Sequence, residues 1–217
     1  MDLNAIRQIA VTYLSDETIN PRLKKVNRLY HGLRVAKLAI KLRKYVLPGD
    51  SSRDDIITCA AWFHDIETGS ENHGVSGARK VRKLLTGHCS DSQLKEICDI
   101  IARHSDRSSD RSRFSDYLKL HQDADLLDHF GMPDVWNEIS KASSEGQNMS
   151  QAASSFIEGI KRYEQSRELL NFEISKYIMD EKGDFFRKFA DRLKAEGSGE
   201  IYNEELISNY FFNKNIF

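Results

Sequence analysis

The chain has 217 residues, enough to bury a full core and within the range of one large domain. Lys+Arg total 32 against Asp+Glu 33, a formal charge of -1, which excludes a protein dominated by nucleic-acid electrostatics and leaves local basic patches to meet phosphates. No window approaches a membrane span, residues 1–7 lack a signal-peptide pattern, and three cysteines without CxxC spacing favour reduced thiols in the cytoplasm.

Only Pro21, Pro48 and Pro133 interrupt the chain, and apolar residues recur at helical intervals, so the expected class is all-α. The periodicity predicts helices over about 2–14, 24–46, 53–65, 73–86, 91–104, 114–129, 134–144, 148–166, 168–194 and 199–212. Leu47-Pro48-Gly49-Asp50 stops the second, Ser51-Ser52-Arg53-Asp54 supplies caps for the third, and Gly87 closes the fourth. Residues 105–113 are polar without an apolar stripe and read as a surface loop beside the fifth helix. After Pro133 there is no histidine, and Phe156, Ile160, Tyr163, Phe172, Phe185, Phe186 and Phe189 supply packing for a scaffold or lid. Residues 196–200, rich in glycine, mark a turn before a last apolar helix. One domain over 1–217 is expected.

Chemistry concentrates in the first 130 residues. His31 shares a helix face with Val35, Leu38 and Leu42, His64 follows Ile57 and Ala60, and His104 follows Ile97 and Ile100 or Ile101. All three should point inward near helix ends. Asp125 shares a face with His121 and Asp128 at a core boundary, and a buried carboxylate beside imidazoles is easiest to satisfy with a cation between them. Nitrogen and oxygen donors suit a divalent transition metal better than a thiolate-bound one. Each residue also has a plainer reading: a lone inward histidine is more often a hydrogen-bonded core group, and Asp65, Asp123 or Asp128 can serve as helix-end or solvated carboxylates.

Taken together, His31 in His31-Gly32-Leu33-Arg34-Val35-Ala36, the doublet His64-Asp65 after Ala60-Ala61-Trp62-Phe63, and Asp125 in Gln122-Asp123-Ala124-Asp125-Leu126-Leu127-Asp128 resemble the HD-domain superfamily of metal-dependent phosphohydrolases. The resemblance covers roughly residues 24–130, with 131–217 as a C-terminal helical extension. It implies a compact helical bundle in which His31, His64, Asp65 and Asp125 hold one ion, Asp123 being the positional alternative to Asp125. His73 and His104 match, in order and setting, the two extra histidines of HD enzymes that bind a second ion, with Asp65 bridging. His121 and His129 read as supporting or surface groups, and His88 as a surface turn residue.

The implied activity is metal-dependent hydrolysis of a phosphoester or phosphoanhydride in a nucleotide or related small phosphorylated metabolite. The ion would be Mn, Fe, Co, Ni or Mg. Asp65 carries the catalytic ion or ions, and Glu67 is a candidate to orient water. Arg34, Arg103 and Arg107 are candidates to meet substrate phosphate, with Arg79, Lys80, Arg82 and Lys83 a further basic cluster. Two alternatives stay open: a nucleotide-binding regulatory HD module without turnover, and an HD-type di-iron oxygenase. Gly-rich phosphate loops, a GxSxG elbow and an HExxH pair are absent from the sequence, which counts against P-loop, serine-hydrolase and zincin chemistry.

Overall fold

A computed structural model describes residues 1–14, 28–108 and 110–213, with side-chain placement up to residue 210. Among the described residues there are ten α-helices and no strand, the all-α class expected from the periodicity. The helices are α1 (Leu3–Leu14), α2 (Arg28–Val46), α3 (Asp54–Phe63), α4 (His73–Leu85), α5 (Asp91–Arg103), α6 (Asp116–Asp128), α7 (Met132–Ser144), α8 (Met149–Arg167), α9 (Glu173–Gly197) and α10 (Glu204–Asn213). The first four residues of the expected second helix, 24–27, Pro21 and Ser109 of the polar loop lie outside the described residues. No described helix is long and apolar enough to cross a membrane.

By their contacts the residues divide into two units, one of Met1–His129 with Glu168–Ile178, the other of Phe130–Arg167 with Met179–Phe217. In the first, α3 is the central element. Every residue from Cys59 to Phe63 is buried, so the helix is apolar all round, and α1, α2, α5 and α6 pack against it. Trp62 and Phe63 are packing residues here, as their place in that run suggested. Cys59 and Cys98 are buried, and all three cysteines are unpaired.

Two glycines allow the contacts that matter for the site. A Cβ on Gly32 would lie 2.7 Å from the Ala61 carbonyl oxygen, and one on Gly74 would lie 2.8 Å from that of Ala102 and 2.9 Å from that of Ile101. No side chain fits in either place, so α2 closes on α3 and α4 on α5 at backbone distance. His31 and His73, each immediately before its glycine, are thereby brought to the ends of α3 and α5.

The helix N-termini are capped in different ways. Ser90 and Gln93 form a reciprocal capping box on α5, and the Ser115 hydroxyl accepts the Leu118 N–H on α6. At α3 the expected serine caps do not form. Arg53 occupies the cap position without a side-chain capping bond, its guanidinium going to Glu96 (2.8 Å), Ser52 donates to Asp50 instead (2.6 Å), and the Asp54 carboxylate is taken by the buried Arg43 guanidinium (2.9 and 2.8 Å).

In the second unit, Phe156, Tyr163 and Phe186 stack with ring centroids 4.8–5.2 Å apart, forming the core the phenylalanine spacing predicts. α7 starts at Met132, two residues earlier than its pattern suggests, because Pro133 fits the first helical turn after Gly131 at φ +79°. α9 continues through Gly197 to that residue, beyond the expected stop at 194. α10 starts late, at Glu204, since Gly199 and Asn203 both hold left-handed backbone.

Candidate metal centre

Seven side chains converge where the helix ends of the first unit meet. His31 comes from α2, His64 caps the C-terminus of α3 with Asp65 next to it, His73 opens α4, His104 caps α5, Asp125 lies on α6 and His129 caps it. His31, His64 and His104 are buried, as their apolar stripes predict.

Hydrogen bonds fix which nitrogens carry protons. A carbonyl can only accept, so the 2.9 Å contact of His64 Nδ1 with the Ala61 oxygen and the 2.7 Å contact of His104 Nδ1 with the Ile101 oxygen place N–H on Nδ1 in both rings. His31 Nδ1 donates to Asp128 Oδ2 at 2.8 Å. Arg34 grips the same carboxylate with Nε to Oδ1 (2.9 Å) and Nη2 to Oδ2 (2.7 Å). Burial pushes the Asp128 carboxyl up, but His31 and Arg34 outweigh it and hold the group below the usual range. In their neutral forms these three imidazoles therefore point Nε2 lone pairs into the site.

The Nε2 atoms meet in pairs, His73 supplying the fourth. His31 Nε2 lies 3.1 Å from His64 Nε2, and His73 Nε2 lies 3.1 Å from His104 Nε2. Asp125 Oδ1 stands 3.1 Å from the first and 3.3 Å from the second nitrogen of the His31–His64 pair. Asp65 faces both pairs: Oδ2 is 4.0 Å from His31 and 3.7 Å from His64, Oδ1 is 3.9 Å from His73 and 3.9 Å from His104. Two donors on one cation about 2.1 Å away are separated by about 3.0 Å at right angles and about 4.2 Å when opposed, the range these distances span. His31–His64–Asp65, His31–Asp125–His129 and Asp65–His73–His104 each offer ligand atoms within 4.8 Å of one another. The donor set fits a divalent cation at each histidine pair, with Asp65 between them.

Without a cation a proton takes part of its role. Burial works against charge on His31, yet the hydrogen bonds and charges of Asp125 and Asp128 raise its pKa to about 9. Burial likewise opposes ionisation of Asp125 and Asp65, but the neighbouring imidazoles, His64 foremost, hold Asp125 well below and Asp65 below the ordinary carboxylate range. His104 is pushed down by burial and by His64.

The other residues singled out from the sequence are placed less simply. Asp123 does not join the cluster. It is fully buried and accepts the backbone N–H groups of Asn171 (2.8 Å) and Phe172 (3.1 Å) and the Asn171 amide (2.7 Å), which is why residues 168–172 leave the expected helix and α9 begins only at Glu173. Glu67 pairs with Lys80. Arg34 is committed to Asp128 as described, and Arg103 lies over the Phe114 ring at 4.4 Å. Arg107 donates through Nη2 to the Gln122 carbonyl (3.1 Å), while its buried Nη1 has no hydrogen-bond partner among the described residues.

His121 and His129, which read from the sequence as supporting or surface groups, also stand at the site. His121 is fully buried, 5.1 Å from the His64 ring, with neither nitrogen bonded among the described residues, and burial followed by the His64 charge holds its pKa well below the usual imidazole value. His129 brings Nε2 to 3.5 Å from Asp125 Oδ1. The signal was present: residues 121, 125, 128 and 129 recur at steps of three and four on one face of α6.

Comparison with known families gives a match to the HD domain over residues 28–129. The chain carries an HD domain. Comparison with curated proteins gives no match to this chain. Among solved structures, the fold of this HD protein is similar to an HD-superfamily hydrolase from Bacillus thuringiensis (22% identity, TM-score 0.66, covering 91% of this chain and 97% of that one). It is also similar to Bacillus subtilis YpgQ (22% identity, TM-score 0.62, 89% and 94%) and to the same protein in complex with ADP (20% identity, TM-score 0.61, 90% and 97%).

Proposed function

We propose that this HD protein is a divalent-metal-dependent phosphohydrolase acting on a nucleotide or a related small phosphorylated metabolite. One observation carries the reading: the Asp65 carboxylate lies between two histidine pairs whose Nε2 atoms approach to 3.1 Å within each pair. His31, His64, Asp65 and Asp125 hold the first ion, and Asp65, His73 and His104 the second. Mn, Fe, Co, Ni and Mg are the ions to test. When bound, such ions lower the pKa of water and neutralise charge on a phosphoryl oxygen.

The chain's own groups set the stage for that chemistry. Asp128, braced by Arg34, and the carbonyls of Ala61 and Ile101 lock three imidazoles with Nε2 inward. Arg34 is thus a positioning residue rather than a phosphate ligand. Arg107 is the better phosphate group: its Nη1 donor is buried and without a hydrogen-bond partner among the described residues, and its burial, which lowers its pKa against the opposing charges of Asp125 and Asp123, would be offset by a bound anion. Glu67 is held by Lys80, which argues against a free general base. The ADP complex of the structurally similar YpgQ supports a nucleotide substrate, and the three unpaired cysteines support a cytoplasmic setting.

The test is metal analysis of untagged protein followed by phosphate and pyrophosphate release from nucleotides with each ion. Asp65→Ala should lose metal retention and turnover together, and retention of both would sink the proposal. A bridged two-ion site also suits the di-iron oxygenase alternative. Bound iron with oxygen consumption, and no phosphate release, would decide for it.

A further inference from the structure

We propose that His129 is an additional ligand of the first ion, on its solvent side, so that the two ions are held by unequal donor sets. This rests on the metal reading above. The carboxylate oxygen that His31 and His64 approach at 3.1 and 3.3 Å, Asp125 Oδ1, is also the one that His129 Nε2 approaches at 3.5 Å. The His129 and His31 rings lie with centroids 4.9 Å apart, and His31, Asp125 and His129 have ligand atoms within 4.8 Å of one another. An imidazole serving only as a surface partner of Asp125 would need no such approach to His31. Helix geometry explains the placement: His129 follows Asp125 by four residues and sits at the α6 C-cap, where its side chain turns toward the mouth of the site.

His129 is 54% exposed, against 2% for His31 and His64, 12% for Asp125 and 25% for Asp65. The interior supplies the other donors, and His129 closes the first ion from outside. Five protein donors then surround the first ion and three the second, from Asp65, His73 and His104. The first should be retained through purification, while the second keeps open positions for water and a phosphoryl oxygen.

Titration of the metal-free full-length chain with Co(II) alone tests this, using the visible spectrum and X-ray absorption to count imidazole ligands. The wild type should bind two ions with separated affinities. His129→Ala should weaken the tighter by about tenfold or more, remove one imidazole from its shell and narrow the separation. His129→Gln, which keeps a polar side chain of similar reach, should behave alike, and added free imidazole should restore the spectrum of the alanine variant. His88→Ala should change nothing. An unchanged imidazole count and affinity in folded His129→Ala and His129→Gln would overturn the inference while leaving the metal reading intact. A wild type that takes up no Co(II) would overturn both.

Discussion

His31 and His64 face one another through Nε2 atoms 3.1 Å apart, each with its Nδ1 proton already spent, on Asp128 and on the Ala61 carbonyl. Two imidazole lone pairs repel at that distance unless a proton or a cation lies between them and their neighbours. His73 and His104 repeat the arrangement, with His104 Nδ1 donating to the carbonyl three residues back, as in His64. Each pair is built from a His-Gly step on one helix and the C-cap of the next.

The Asp128 contact gives the first prediction. Asp128→Asn keeps the shape but removes the charge that fixes His31 Nδ1–H and pairs with Arg34. Affinity for the first ion should fall by about 10- to 100-fold, with the second little changed, by equilibrium dialysis. Arg34→Ala should shift metal affinity in the same direction by a smaller factor. A raised KM for substrate with unchanged metal affinity would instead put Arg34 on the phosphate.

Gly32 and Gly74 yield a paired prediction. Alanine at residue 32 forces a methyl to 2.7 Å from backbone oxygen, and at residue 74 to 2.8 Å. Neither obstacle is a flexible side chain. Each variant should lose about 1–3 kcal/mol of stability in denaturant melts, and more if the helices cannot separate. Gly32→Ala should weaken the His31–His64 ion and Gly74→Ala the His73–His104 ion, read from stepwise metal titration.

Much of this was legible in the sequence because it depends on local periodicity. The stripes around His31, His64 and His104 predicted inward histidines, and the helix order followed from apolar spacing with its few prolines and glycines. What escaped depended on contacts distant along the chain. Asp123 and Asp125 are both acidic and both buried, and only the backbone of residues 171 and 172, brought back against α6, assigns one to the loop and leaves the other for the site. Residues 168–172 have ordinary helical composition, so no local signal reveals that Asp123 captures their N–H groups. His129 was obscured for a different reason: it continues the face of residues 121, 125 and 128, but from the C-cap of α6, where a histidine reads equally as a surface end group.

Asp123→Ala should therefore act on structure and not on the ions. It strips an acceptor from two backbone N–H groups and one side-chain amide. The expected cost is about 1–3 kcal/mol, seen as a lower Tm, with faster hydrogen exchange at residues 170–173. Metal stoichiometry should stay at the wild-type value. Asp125→Ala should do the reverse, losing the first ion. Loss of the first ion on replacing Asp123 would reverse the assignment of the two carboxylates.

The proton on His31 sets the pH behaviour of the metal-free protein. Its pKa rises from 6.5 to about 9 on folding, because the Asp125 and Asp128 carboxylates outweigh the burial that opposes charge. A group raised in the folded state stabilises it fully below the unfolded value and loses that contribution as pH climbs through the folded one. Chelator-treated protein should thus lose stability between about pH 6.5 and 9, read as a falling Tm. Metal must displace the same proton, so apparent affinity for the first ion should climb across that window by up to about tenfold per pH unit. Asp128→Asn, which removes one of the two carboxylates, should shift both transitions to lower pH. A metal-free Tm that stays flat from pH 6.5 to 9 would mean that His31 carries no such proton, and that the His31–His64 contact is relieved in another way.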